Sequence, residues 1–431
     1  MKQDIEACLD RTFHVLENVC PTGNVIKGIT SRYYHRPDSE TPFSLFSASQ
    51  ILWALASSKK FPKTHYLVVE LLAQINELLN NDIINKYDRI LSKAFWFLAL
   101  TCAGQPVQSE PYKKILENII ASQNERGIWG TCSESEGDLR ATAVVVVSFC
   151  ECIDRYGESS VEPYAELKSE IHSAVTYMIG EQKKEGFFLR RIKSINPEQS
   201  VTYQPGIELT AWIIYAMLKS MLVVNFNNEE VRKIKRTVKS AINWLIRQEI
   251  QDIATKSEIE EEYYIKNGRG WTHDYGAGSL EIMILALTEY RYSDFYSYIK
   301  NLDSFIEKAI MKLLEDEKDG TWHDKNSNSY TKLWKMAYVV KCLSAYFECI
   351  SDEILFKKKV LRKIFLTGCT VLSKIRSIIF SIPLIVIYFI IGFVFLCSNY
   401  RGDSPIIGYV SLALGVIGIV VSIYYGKKGN T

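Results

Sequence analysis

Residues 123–149 read QNERGIWGTCSESEGDLRATAVVVVSF. A polar turn sets Gly127 just ahead of Trp129, and a nearly uncharged run follows from Ala141. Glycine gives a turn access to positive φ, and the aromatic can staple the loop between neighbouring helices. The long apolar run must be covered on most sides. The stretch therefore predicts a polar clasp leading into a buried helix.

The same order recurs along the chain. QKKEGFF (182–188), NGRGWTHDYG (267–276) and KDGTWHDK (318–325) pair Gly186 with Phe187, Gly270 with Trp271 and Gly320 with Trp322. Charged amphipathic helices are expected near 4–19, 64–80, 111–123, 163–182, 229–248 and 301–315. Apolar helices are expected near 44–57, 88–103, 138–156, 207–222, 277–291 and 330–349. Six charged helices alternating with six apolar ones imply an all-α repeat array in two concentric layers. Extended strands are scarce.

Composition narrows the classes. The chain has 431 residues with 51 Lys+Arg, 49 Asp+Glu and a net charge of +2. That balance hides a split. From Phe356 onward ten residues are basic and only Asp403 is acidic, so residues 1–355 carry a net acidic charge. The body is not a general nucleic-acid binder on charge grounds. Ten cysteines without a CxxC pair, the nearest being Cys150 and Cys152, read as reduced, buried thiols. The first residues, MKQDIEACLDRTF, lack the apolar core of a signal peptide.

Two runs, 378–397 and 406–425, are uncharged and long enough to span a bilayer as helices. SNYRGDSP between them leaves room only for a turn, so a transmembrane hairpin is expected over 377–431. Lys357, Lys358, Lys359, Arg362, Lys363, Lys374 and Arg376 precede the first run, and Lys427 and Lys428 follow the second. The positive-inside bias then places both termini in the cytoplasm, at the inner membrane if the source is bacterial. The basic linker 356–376 would hold anionic headgroups at about 1 kcal/mol per residue. Gly408, Ser411, Gly415, Gly418 and Ser422 form a small-residue seam on one face of the second run. It fits packing within the hairpin, and it fits self-association into a homo-oligomer. Three domains are expected: a body over 1–355, the linker, and the hairpin.

The Gly-x-Trp turns followed by [TA]A-rich apolar helices resemble the α/α toroid of the terpene cyclase and protein prenyltransferase superfamily. The resemblance covers most of 1–350 and is clearest in the last four units. It implies about six helix pairs closed into a ring around a central cavity. Class II cyclases of that superfamily protonate an isoprene with the acid of a DxDDTA motif. Here the similar place reads Asp138-Leu139-Arg140-Ala141-Thr142-Ala143, and arginine cannot donate that proton. Neither DxDD nor DDxxD occurs elsewhere in the sequence. Protein prenyltransferases hold Zn²⁺ with Asp, Cys and His; the similar segment, 324–346, has Trp334 and Lys335 near the His position. His273–Asp274 and His323–Asp324 beside the turn tryptophans fit loop hydrogen bonding better than a metal. No GxSxG, HExxH or P-loop is present. The expectation is no catalytic residue, no metal and no cofactor.

Asp138, Arg140, Glu208, Glu281, Lys332, Trp334 and Lys335 stand near the beginnings of inner helices. Helix N-termini favour anions, so Arg140 with Lys332 and Lys335 could hold a phosphate or carboxylate. The same charges could instead pair with Asp138, Glu208 and Glu281. Trp53, Phe95, Trp96, Trp212 and Trp334 fit packed core or a ligand platform. Three functions follow: a sensing toroid coupled to a membrane effector, an isoprenoid-handling enzyme at the membrane, or a tethered scaffold. The first matches the plan of bacterial antiviral effectors that join a cytosolic sensor to two transmembrane helices, by analogy of architecture alone.

Overall fold

The computed structural model describes residues 1–19, 32–34, 45–60, 65–79, 84, 89–130, 137–157, 164–192, 202–255, 278–322 and 330–352. The linker, both apolar runs with their small-residue seam, the 267–276 turn and the His323–Asp324 pair lie outside them. The chain divides into two compact units, Met1–Glu353 and Ile354–Thr431. The described residues all belong to the first. Among the described residues no helix is long and apolar enough to cross a membrane.

Outer and inner helices alternate. The outer ones are α1 (Lys2–Val19), α3 (Tyr66–Leu78), α5 (Glu110–Ala121), α7 (Tyr164–Glu181), α9 (Asn228–Leu245) and α12 (Leu302–Glu315). The inner ones are α2 (Leu45–Ala56), α4 (Ile90–Ala103), α6 (Leu139–Tyr156), α8 (Ile207–Val223), α11 (Ser279–Tyr292) and α13, the helical residues 333–352. A short α10 (Ile250–Thr255) follows α9. Every residue of α4 is buried. On α9 only one stripe is buried: Ile234, Thr237, Val238, Ala241, Ile242 and Leu245. That contrast is the one the polarity pattern predicts, and it produces the two layers.

Each inner helix packs on the next, α2 on α4, α4 on α6, α6 on α8 and α8 on α11. The resemblance implies a ring, and three contacts close it. Gln50 Nε2 of α2 donates to Tyr338 Oη of α13 at 3.0 Å. β1 (Arg32–Tyr34) pairs antiparallel with β4 (Tyr330–Lys332), with Arg32 opposite Lys332. On the outside Arg11 of α1 meets Glu317, its Nε donating to Oε1 at 2.8 Å. The first unit thus lies against the last, and the body is a closed α/α toroid. A second ribbon joins β2 (Leu189–Ile192) to β3 (Thr202–Pro205). These short strands qualify the all-α expectation without changing the architecture.

The three described turns of the repeat are clasps. Each leans on the outer helix of the following unit. A Cβ on Gly127 would stand 2.8 Å from Ser173 of α7. One on Gly186 would stand 2.4 Å from the Ser240 carbonyl of α9, and one on Gly320 2.6 Å from Arg11 of α1. All three glycines have positive φ. The turn is braced from within as well. Gln123 Nε2 donates to the Gly127 carbonyl at 3.0 Å, and Gln182 Nε2 to that of Gly186 at 2.9 Å. In the last unit the brace is Glu317, which accepts from Gly320 N.

The aromatic then turns inward. Trp129 Nε1 donates to the Ile119 carbonyl at 2.7 Å and Trp322 Nε1 to that of Leu313 at 2.9 Å, each satisfying the end of the preceding outer helix. Trp129 N donates to Thr142 Oγ1 and Phe188 N to Thr210 Oγ1, which explains the threonine early in those inner helices. One expectation is corrected here. The buried aromatic of the second clasp is Phe188; Phe187 lies partly exposed against Trp244. The buried aromatic stands two positions after the glycine in all three described clasps, and that spacing selects Phe188.

Candidate functional site

Consecutive inner helices are joined through outer ones and so run the same way. Their N-termini form one end of the ring and their C-termini the other. Four aromatics fill the axis between. Trp53 (α2), Phe95 (α4), Trp212 (α8) and Tyr338 (α13) are all at most 1% exposed. Each touches the other three. The Trp53 and Trp212 rings stack at 6.0 Å, and Phe95 meets Trp212 edge-on at 5.9 Å. Tyr338 lies 6.2 Å from both tryptophans and 6.5 Å from Phe95. Four side chains from four helices can meet only near the axis. At this level the expected central cavity is occupied by protein, and these aromatics are core. Trp96 is also buried, and Trp334 rests edge-on against Tyr338 at 5.8 Å.

The N-terminal end carries the charges singled out in the sequence. Asp138 caps α6, its Oδ1 accepting from Ala141 N at 2.7 Å. Arg140 and Glu208 form a buried ion pair, Nη2 to Oε1 at 2.6 Å. Lys335 Nζ reaches only to 3.9 Å from Glu281 Oε1. Glu281 Oε2 is buried and, among the described residues, has no hydrogen-bond partner. Burial raises the Glu281 carboxyl to about 7 against the pull of Lys335. Lys332 lies on β4, opposite Arg32 in register. The structure therefore brings Arg140 to Glu208 and Lys335 to Glu281, across helices distant in sequence.

The C-terminal end holds a cluster that sequence reading missed. Lys219 of α8 bridges Glu151 of α6 at 3.4 Å and Glu289 of α11 at 3.7 Å. The Lys341 ammonium stands 5.6 Å from the Trp53 ring. Burial alone would raise the Glu151 pKa; Lys219, Lys341 and Arg155 outweigh it and hold the carboxyl below its usual value. The Lys219 ammonium is desolvated too, yet Tyr215, Glu289 and Glu151 beside it hold its pKa well up. Glu151 and Lys219 each stand 11 residues beyond Arg140 and Glu208 on the same helices. That places the two charged layers about 16 Å apart. Lys219, the one charge in the later turns of the otherwise apolar α8, was the signal available.

Cys8, Cys102, Cys150, Cys152 and Cys342 are buried thiols. Burial pushes the Cys8 and Cys102 thiols to about 12, so they are poor nucleophiles. Among the described residues no group of three or more His, Cys, Asp or Glu side chains is placed to hold a metal ion.

Comparison with known proteins bears on the fold. A family profile for the A-macroglobulin TED domain matches residues 112–263, about a third of the chain. No curated protein matches the sequence. An α-1,6-mannanase of Salegentibacter sp. HEL1_6 superposes with a TM-score of 0.55 at 10% identity, covering 81% of this chain and 99% of that one. The type II terpene cyclase MstE of Scytonema gives a TM-score of 0.50 at 12% identity, covering 81% and 99%. The unsaturated glucuronyl hydrolase of Bacillus sp. GL1 gives 0.50 at 14% identity, covering 80% and 96%. One architecture thus serves different chemistries, and at these identities the likeness is one of fold alone. The body of this chain is an α/α toroid of the kind shared by a terpene cyclase and glycan-cleaving enzymes.

Proposed function

We propose that the chain is a membrane-held recognition module, in which the toroid binds a ligand or partner and the C-terminal hairpin answers in the bilayer. One observation carries this reading. Where a class II cyclase would hold its acid and its substrate, this ring has Arg140 locked to Glu208 above an axis filled by Trp53, Phe95, Trp212 and Tyr338. Such a ring is built to keep its shape and to be read at its ends and outer face.

The membrane half of the proposal draws on the two uncharged runs, their basic flanks and the Gly408–Ser422 seam. Clustering through that seam would let hairpins perturb the bilayer, the plan of an antiviral effector. At the N-terminal end Asp138, Arg140, Glu208, Glu281, Lys332, Trp334 and Lys335 remain the proposed recognition residues. An arriving anion would exchange for Glu208 or Glu281 as the counter-ion of Arg140 or Lys335.

Growth and membrane potential decide between effector and anchor. Induced full-length chain is expected to depolarise and arrest cells, while a chain ending at Leu355 leaves them unharmed. Healthy cells with normal potential under full-length expression would reduce the hairpin to an anchor.

A second reading is favoured by Glu281. A carboxylic acid whose pKa burial raises to about 7 inside an inner layer is what a proton-donating isoprenoid enzyme needs. Incubation with a polyprenyl substrate should then yield product that Glu281→Gln abolishes without loss of fold. Absence of product from the unaltered protein removes this reading.

A further inference from the structure

One outer helix differs from the other five. α9 carries Arg232, Lys233, Lys235, Arg236 and Lys239 against Glu229 and Glu230. In α1, α3, α5, α7 and α12 basic residues never outnumber acidic ones. Among the six outer helices only α9 thus carries net positive charge.

The geometry makes those residues a single face. Arg232, Arg236 and Lys239 follow at spacings of four and three, which superimposes them on one side of the helix. All five basic residues are exposed, while the opposite side of α9 packs into the ring. The neighbouring clasp extends the face. Gly186 lies against Ser240, and Gln182 Nε2 donates to the Thr237 carbonyl at 2.8 Å. That contact sets Lys183 and Lys184 beside α9, and exposed Arg247 follows its end. Glu185 and Glu249 are acids at its edge.

The acids on α9 are already engaged. Glu229 takes Lys233 at 2.8 Å and Glu230 takes His172 at 2.9 Å. Among the described residues Arg232, Arg236, Lys239 and Arg247 form no ion pair. An aromatic borders the face. Lys235 Nζ lies 5.6 Å from the Phe295 ring, and three residues further on Tyr298 is 76% exposed. Tyrosine with one apolar and one wet end is suited to a membrane–water boundary.

We infer that this face of α9, with Tyr298 at its border, seats against an anionic lipid surface and orients the toroid on the bilayer. The inference rests on the membrane tether proposed above. Charge complementarity selects the partner: a plane of anionic headgroups touches one side of a body whose other outer helices would be repelled or indifferent. A long nucleic acid would have to cross those acidic helices, and it would meet one flanking tyrosine in place of interleaved stacking platforms. Each Lys or Arg near such a surface contributes about fivefold in binding, so three removed cost about 100-fold.

The test uses the full-length chain in nanodiscs of phosphatidylcholine alone or mixed with phosphatidylglycerol. Hydrogen exchange is followed over 228–247 and 293–300. Phosphatidylglycerol should slow exchange there several-fold, and 0.5 M salt should restore it. The Arg232→Glu, Arg236→Glu, Lys239→Glu variant should lose the protection, and the matching triple Gln variant should weaken it, both with an unchanged melting temperature. Equal exchange in the two lipids, in protein that stays in the discs, overturns the docking face and leaves the tether standing. If the chain does not stay in discs, the tether fails, and sedimentation with phosphatidylglycerol vesicles then decides. Binding about 100-fold weaker in the triple Gln variant, and weaker still in the triple Glu variant, keeps the face; equal binding overturns it. Binding to RNA or polyglutamate that depends on α9 while lipid has no effect also overturns it.

Discussion

The two ends of the inner layer bury charge in opposite ways. At the N-terminal end Arg140 and Glu208 pair at 2.6 Å, while Glu281 has, among the described residues, only Lys335 at 3.9 Å and becomes hard to ionise. At the C-terminal end Glu151 is buried as well, yet it stays ionised because Lys219, Lys341 and Arg155 surround it. Helix dipoles favour an anion at the first end and a cation at the second, which makes the contrast sharper. Glu281 sits where the dipole helps it and still has a raised pKa. Burial with one distant counter-ion outweighs a favourable helix terminus; at the other end three counter-ions outweigh both burial and an unfavourable one. The number of counter-ions within reach decides what each layer can do.

The largest effect should come from breaking the tightest pair. Arg140→Met leaves Glu208 buried and unpaired, a loss of about 3–5 kcal/mol in the unfolding of the full-length protein in detergent. Adding Glu208→Leu should recover much of that loss. A double variant as unstable as the single one would mean that Arg140 acts through packing. Lys219→Met should cost less at the other end, since Lys341 and Arg155 remain beside Glu151.

Next in size is a pH effect of opposite sign at the two ends. The folded-state pKa of Glu281 is raised, so its contribution is present at low pH and lost as pH rises from about 4.5 through about 7. Glu281→Gln should therefore stabilise at pH 8, by at most about 3 kcal/mol, and do little at pH 4.5. Glu151 is lowered, so its contribution is present above the unfolded value and lost as pH falls through the folded one. Glu151→Gln should destabilise at pH 8 and lose its effect in acid. Melting curves across pH check both, and parallel curves would erase the distinction between the ends.

The clasps belong to the N-terminal end and give the third test. Gly186→Ala must place a methyl at positive φ and 2.4 Å from the Ser240 carbonyl, at a cost of about 3 kcal/mol. Gly180→Ala, one turn earlier on α7 in open space, should instead stabilise by about 0.5–1 kcal/mol. Equal melting temperatures for the two would deny the clasp its structural role.

Much of this was legible beforehand. The alternation of charged and apolar runs placed all twelve ring helices, because burying one stripe or every face leaves its mark in local composition. The clasps were legible because glycine and an aromatic recur at short spacing, although Phe187 was chosen where Phe188 is the buried residue. The ion pairs were not legible. Arg140 and Glu208 are 68 positions apart, and nothing local distinguishes pairing with each other from pairing with a ligand. The C-terminal cluster was hidden for the same reason, its charges looking like single interruptions in apolar helices.

Ring closure was the least legible feature, and its test is the smallest in energy. Gln50 and Tyr338 are 288 positions apart and join the first inner helix to the last. Tyr338→Phe keeps the ring in the aromatic cluster and removes only the hydroxyl. Loss of that bond should cost about 1 kcal/mol, somewhat more if Gln50 is left without water. The informative readout is local. If α2 and α13 form one seam, hydrogen exchange should quicken in both 45–56 and 333–352 while α6 and α8 are unchanged. Quickening spread evenly over the ring would mean that the cluster holds the toroid as one cooperative body. Quickening confined to 333–352 would show that α13 is held chiefly by the Arg32–Lys332 ribbon and the Lys59–Asp352 pair, with the Gln50 bond incidental to closure.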